Sequence, residues 1–177
     1  MPPLNLVADF GGGAMHLLVG VLSKLVQRSV SGKGGVVETS ILAGTVGLTP
    51  IFYGLMSAGQ WNMKRENNML DGGRPYYRVY KTKDGKFFSV VAVSLKKKNV
   101  LIEALGLKGE IDPARQNDPS TWAATQARFA EVFATKTRDE WAAICAKVDC
   151  CAAPVLTFEE AARDPHNLAN SLYRNDP

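Results

Sequence analysis

Apolar residues run almost unbroken from Ala14 to Gln27, AMHLLVGVLSKLVQ, with no polar stripe of helical period. That pattern predicts a buried helix rather than a surface one. The turn-forming stretch SVSGKGG ends it. GVVETS then predicts a short strand, and residues 41–53 a second apolar helix. Two helices this apolar need something large to bury them, so residues 1–55 read as the C-terminal part of a larger domain whose beginning lies elsewhere. Residues 56–75 are Gly- and Asn-rich with weak periodicity and read as an interdomain linker.

The clearest local signal comes next. YYRVYKT and KFFSVVAV are β-rich runs, and Asp84–Gly85 between them predicts a tight hairpin. Three helices follow. The first covers Lys97 to Leu105 and stops at Gly106. The second covers Pro119 to Ala134, with Trp122, Phe129 and Phe133 on an apolar stripe. The third covers Thr137 to Lys147, opens on a capping box of Thr137 with Glu140, and buries Trp141 and Ile144. CAAPVL predicts a further strand, and Thr157 with Glu160 a second capping box that starts a short helix ending before Pro165. Residues 76–163 therefore read as a small α+β domain, and residues 164–177 as the start of a return linker.

Composition narrows the class. The chain has 177 residues, 46% hydrophobic and 21% charged, which is ordinary for a folded domain. A formal charge of +4 suits an anionic small molecule but lacks the dense Lys/Arg patches of a nucleic-acid binder. Cys145, Cys150 and Cys151 form no CxxC pair and read as buried thiols. No uninterrupted apolar run reaches the length of a membrane span, and MPPLNLVADF lacks a basic start before its apolar residues, so no signal peptide is expected.

The stretch LVADFGGGAM concentrates the candidate chemistry. Asp before a helix is most simply an N-cap. It also fits a catalytic acid at the mouth of a helix, where Gly11, Gly12 and Gly13 would leave the first N–H groups open to a ligand oxygen. A phosphate loop is disfavoured, since neither GxGxxG nor GxxxxGK[ST] is present. Met15 and His16 follow within one turn and are placed to touch a ligand near Asp9, although a core histidine is the simpler reading of His16. His166, in an Asp-Pro-His-Asn turn, reads as a surface residue, and two histidines 150 residues apart give no metal-ligand spacing. Lys96, Lys97 and Lys98 read as a solvated helix start. Met56, Met63 and Met69 fit hinge packing or a tolerant acyl surface, and Tyr76, Tyr77 and Tyr80 fit strand positions.

Five stretches in order, LNLVADFGGGAMHLLVGVL, SGKGGVVETS, PYYRVYKTKDGKFFSVVAV, FATKTRDEW and CCAAPVLTFEEAARDPHN, resemble the α-methylacyl-CoA racemases of the family III CoA-transferase superfamily. The resemblance covers nearly the whole chain but only the middle and C-terminal part of a family member. It implies a fold that is α/β and α+β: the end of a Rossmann-like large domain, helices plus a strand, followed by the small domain with its hairpin. It also implies epimerisation of a 2-methylacyl-CoA by 1,1-proton transfer through an enolate. Asp9 would be one acid/base, with Gly11, Gly12, Gly13, Met15 and His16 at the substrate. No cofactor is implied, coenzyme A being part of the substrate, and the assembly would be an interlocked homodimer. The location would be cytoplasmic in a bacterium and peroxisomal or mitochondrial in a eukaryote. In the transferase branch, the residue matching Asp9 is instead a nucleophile. The family's catalytic histidine would lie outside these 177 residues, leaving this chain alone inactive. Where racemases carry a carboxylate after the hairpin, this chain reads VVAVSLKKKN, with Ser94 at the matching position.

Overall fold

The computed structural model describes residues 3–173. The chain divides into two compact units, Met1–Asn62 and Met63–Pro177.

The first unit is built of helices joined by irregular segments. A continuous helix spans Leu6–Ser31. Its first part, Leu6–Met15, is wound as π-helix, and α1, His16–Ser31, continues it as α-helix until Gly32 turns left-handed at φ +70°. The predicted start at Ala14 is therefore corrected: the glycines lie inside the helix, not before it. Joined through them, the helix is long and apolar enough to cross a membrane by length and composition, a test that core helices of soluble proteins also pass. Its large apolar side chains are exposed, from Val21 at 41% to Val30 at 87%, so the predicted burial is not met within this unit. GVVETS pairs with no strand and stays irregular. The single helix predicted over 41–53 is two, α2 (Ile41–Gly47) and α3 (Pro50–Ser57), because Pro50 has no N–H to continue the ladder and opens a new helix.

The second unit is built on a three-stranded antiparallel sheet in the order β1 (Tyr77–Lys81), β2 (Phe87–Val91), β3 (Ala152–Pro154). Tyr77 pairs with Val91, Tyr80 with Phe88, and Phe88 with Pro154. Gly85, at φ +78°, closes the hairpin. One face carries Tyr80, Phe88 and Val90 into the core. Helices α4 (Leu95–Ala104), α5 (Trp122–Phe133) and α6 (Arg138–Cys145) contribute Leu101, Ile102, Phe129, Phe133 and Trp141 to the same core. Phe133 is its centre, stacked on Tyr80 at 5.1 Å and on Phe88 at 5.7 Å, with Trp141 tilted at 5.2 Å. The buried polar tips are satisfied: Tyr80 donates to the Pro75 carbonyl and Trp141 to that of Phe133. Short helices α7 (Phe158–Arg163) and α8 (Pro165–Ala169) complete the unit. His166 is thus helical rather than in a turn, and exposed.

Two further expectations change. Residues 63–74, read as linker, are part of this unit: the Asp71 carboxylate accepts from the amides of Asn67, Asn68 and Gly73 and from the Asn68 side chain, winding the loop around one acceptor. And α4 starts at Leu95 rather than Lys97, and Lys98, three and four residues before Leu101 and Ile102, shares their buried face; it is 2% exposed, not solvated.

Both predicted capping boxes form. They lead into Arg138, itself buried at 5% exposure. Its guanidinium donates two bonds to Glu160, at 2.5 and 2.9 Å, one to Asp139 and one to the Val155 carbonyl. Its backbone N–H reaches Asp84 in the hairpin turn. One residue, through its backbone amide and its side chain, thus ties the hairpin, α6 and α7 together. Arg138 first, then the Thr157 amide and Lys86, hold the Glu160 carboxyl down at about 2, below its ordinary 4.5. A carboxyl depressed in the folded state lends stability that is fully present above its unfolded value and lost as pH falls toward the folded one. Stability should therefore fall between about pH 4.5 and 2. Glu160→Gln should lower stability at neutral pH and flatten that fall in urea titrations across the window. An unchanged acid slope would show that the pair carries no pH dependence.

Candidate functional site

The residues singled out by the sequence lie on one helix. Asn5 opens it without a side-chain cap, and its carbonyl accepts from both Asp9 and Phe10 at 3.1 Å. That wide first turn is the start of the π winding, whose bonds run from i to i+5. Asp9 is therefore not the N-cap. It sits in the first turn, exposed, and its carboxylate takes part in no hydrogen bond among the described residues.

The glycines have a packing role that the sequence does not announce. Gly12 is buried, and a Cβ there would press on Thr45, 2.7 Å from its backbone nitrogen. A Cβ at Gly13 would meet Ile41 at 3.0 Å, and one at Gly11 would meet Leu48 at 3.3 Å. In return, a Cβ on Gly44 would overlap the Gly12 carbonyl. Helix α2 lies against the π segment backbone to backbone, so the space left by the missing side chains is filled by α2 rather than open to a ligand. The oxygen of Thr45 is buried in this contact without a partner.

His16 is exposed, not a core residue. Its Nδ1 lies 3.0 Å from the Gly11 carbonyl. A carbonyl only accepts, so Nδ1–H donates, the ring is held against the helix, and Nε2 is left for other partners. Nε2 is directed toward Gly47, 3.4 Å from where a Cβ would stand. His16 lines a cavity of about 570 Å³ with Glu38, Thr39, Ser40, Ala43 and Gly44. Asp9 is not among its lining residues, and Met15 is exposed outside it. The structure thus joins His16 to the Glu38–Ser40 segment, which the sequence reading took for a strand. The signal present there is Ser40, whose hydroxyl caps α2 by accepting from Ala43 N–H. Among the described residues no group of His, Cys, Asp and Glu could hold a metal ion.

The model of a family described as CoA-transferase family III matches residues 3–175. An α-methylacyl-CoA racemase of Mus musculus is 40% identical over 175 residues, covering 99% of this chain and 46% of its own length. The protein of the same name from Homo sapiens is 40% identical over 165 residues, covering 93% and 43%. This chain therefore spans less than half the length of these curated relatives. Among solved structures, Rv3272 from Mycobacterium tuberculosis superposes with a TM-score of 0.70 at 20% identity, over 96% of this chain and 44% of that one. A CAIB/BAIF family protein from Brucella suis gives 0.67 at 21% identity, over 93% and 44%. At such identities these two speak for the fold alone.

The glycine contact makes a paired prediction about stability. In a helix, Gly→Ala ordinarily stabilises by up to about 1 kcal/mol. Gly54→Ala in α3, with nothing within 4 Å of its Cβ, should behave so. Gly44→Ala should reverse the sign and destabilise by about 1–3 kcal/mol or more, because backbone on the facing helix cannot yield cheaply. Denaturant unfolding followed by circular dichroism checks both; equal effects at the two positions would remove the packing role.

Proposed function

This chain belongs to CoA-transferase family III, and from that premise we propose that it is part of an acyl-CoA enzyme of the α-methylacyl-CoA racemase type. The supporting observation is 40% identity to two racemases over nearly all of this chain. The reaction is epimerisation at the α-carbon of a 2-methylacyl-CoA. A base takes the α-proton from one face, the electron pair passes to the thioester oxygen as an enolate, and an acid returns a proton to the other face.

Asp9 is one of the two acid/base groups. Its exposure and its freedom from hydrogen bonds among the described residues leave both oxygens available to a C–H bond. The enolate needs donors. The glycine amides belong to the helical ladder and α2 fills the flank beside them, so donors come from other groups or from the start of the helix. His16 stands on the same helix with Nε2 available, as a substrate-contacting residue of the same site. Coenzyme A enters as part of the substrate, no separate cofactor is required, and the assembled enzyme is an interlocked homodimer.

A second reading rests on the family description itself. In acyl transfer, an Asp9 oxygen attacks the thioester carbonyl, the C–S bond breaks, CoA leaves as thiolate and an acyl-aspartyl anhydride remains. A third, non-catalytic reading is an assembly module acting through the exposed apolar helix faces of the first unit.

One assay separates them. The chain is incubated with a 2-methylacyl-CoA in deuterated water, alone and with the part of the mouse racemase that it does not span supplied as a separate polypeptide. Exchange of the α-proton is expected in the mixture only, and Asp9→Asn should reduce it by roughly 100-fold or more. Exchange untouched by Asp9→Asn would remove Asp9 as the base. An acyl group trapped by hydroxylamine in an Asp9-dependent way, without exchange, would favour transfer. A complex that forms but supports neither reaction would favour the assembly module.

A further inference from the structure

A cavity of about 590 Å³ opens in the second unit, a volume typical of small-molecule pockets. Its walls come from residues 110–116, from α5 and from Tyr76. Two of its lining side chains are almost wholly buried, Tyr76 at 3% and Thr125 at 9% exposure. Neither hydroxyl makes a hydrogen bond among the described residues. The polar atoms that are unpartnered and sealed from solvent belong instead to Thr45, Arg74 and Gln116. The Tyr76 and Thr125 oxygens therefore open onto the cavity that their residues line. The Tyr76 ring is held by two groups that do not line it: the Phe129 ring, edge to face at 5.5 Å, and the Lys98 ammonium, 5.2 Å from the ring centre. Burial first, then the Asp112 charge, pushes the Tyr76 hydroxyl up to about 12. At neutral pH it stays protonated, able to donate as well as accept.

Four charged side chains line the same cavity, and three of them are committed. Arg115 is paired with Asp118 at 2.6 Å, and Arg128 with Glu110 at 2.5 Å and with Glu131 at 3.0 Å. Asp112 makes no ion pair among the described residues. Its Oδ1 accepts from the Ala114 amide, and Oδ2 accepts from nothing among them. The lining thus presents one exposed free carboxylate and two buried free hydroxyls, but no free cation. An anion would have to draw a guanidinium away from its carboxylate, whereas a cation finds Asp112 unoccupied. A buried hydroxyl without a partner is costly unless something in the cavity answers it.

We propose that this cavity binds a small organic amine that carries hydroxyl groups, with its ammonium on Asp112 and its hydroxyls on Tyr76 and Thr125. An ammonium on a carboxylate makes a charge-assisted bond, the strongest contact this lining can offer. Ligand hydroxyls both donate to and accept from those of the protein, which matches two groups that do the same. Ile111 and Ala124 give the carbon skeleton an apolar wall. The site lies wholly in the second unit, uses neither Asp9 nor a thioester, and is independent of the reaction proposed above.

The test titrates the full chain with glucosamine, at a pH where its amine is charged, and with glucose and gluconate as its neutral and anionic counterparts at matched ionic strength. Calorimetry gives the affinity, and thermal unfolding the stability. Glucosamine is expected to bind saturably and raise the melting temperature, glucose to bind roughly tenfold more weakly, and gluconate not to bind. Asp112→Asn, which keeps a good helix cap, should remove the advantage of glucosamine over glucose. Tyr76→Phe should weaken both roughly tenfold without lowering the melting temperature of the unliganded chain, because the hydroxyl makes no bond within the fold. No saturable binding of glucosamine, leaving the cavity to water alone, would overturn the proposal. So would glucose or gluconate binding as tightly, or an affinity that neither substitution changes. The comparison of the three sugars needs only the unsubstituted chain, so it stands even if a variant folds poorly.

Discussion

The Arg138 guanidinium, buried and bidentate on Glu160, is the interaction on which the second unit's arrangement depends. A three-stranded sheet with one covered face is near the smallest that is stable, so contacts that fix the elements around it count for much. Here the hairpin turn, the start of α6, the exit of β3 and α7 converge on one residue, the turn on its backbone amide and the others on its side chain. Its position also sets the aromatic core, because α6 carries Trp141 against Phe133 three residues after Arg138. Removing either partner of so buried a pair would leave a charge without compensation, so charge and core act as one structural unit.

The first unit rests on a different constraint, the absence of side chains. Gly12 and Gly44 let two helix backbones touch, and the π winding through the glycine run presents that surface to α2. The same helix carries Asp9 in its first turn and His16 at the junction with α1. Groups offered to chemistry are therefore placed by a contact made of hydrogen atoms. Any side chain at Gly12 would shift the segment that bears them.

Between these two constraints lies a contrast in how charge is managed. Arg138 is matched with Glu160 and Asp139, whereas Lys98 and Arg74 are left to carbonyls, amides and ring faces.

What the sequence determined by itself was whatever local physics dictates. Asp84–Gly85 closes a hairpin because Gly85 alone takes φ +78° without strain. Thr137 with Glu140 and Thr157 with Glu160 begin helices because they satisfy orphan amides within four residues. Trp122, Phe129 and Phe133 mark a buried face by period alone, and motif order was enough to place the family. Tertiary structure decided what depends on distant neighbours. Three glycines read as preceding a helix were carried through it because α2 covers them. GVVETS stayed irregular because no strand pairs with it. Residues 63–74 became structure because a single carboxylate, Asp71, gathers their amides. Lys98 went inward because the face it shares with Leu101 and Ile102 is the one that packs into the core.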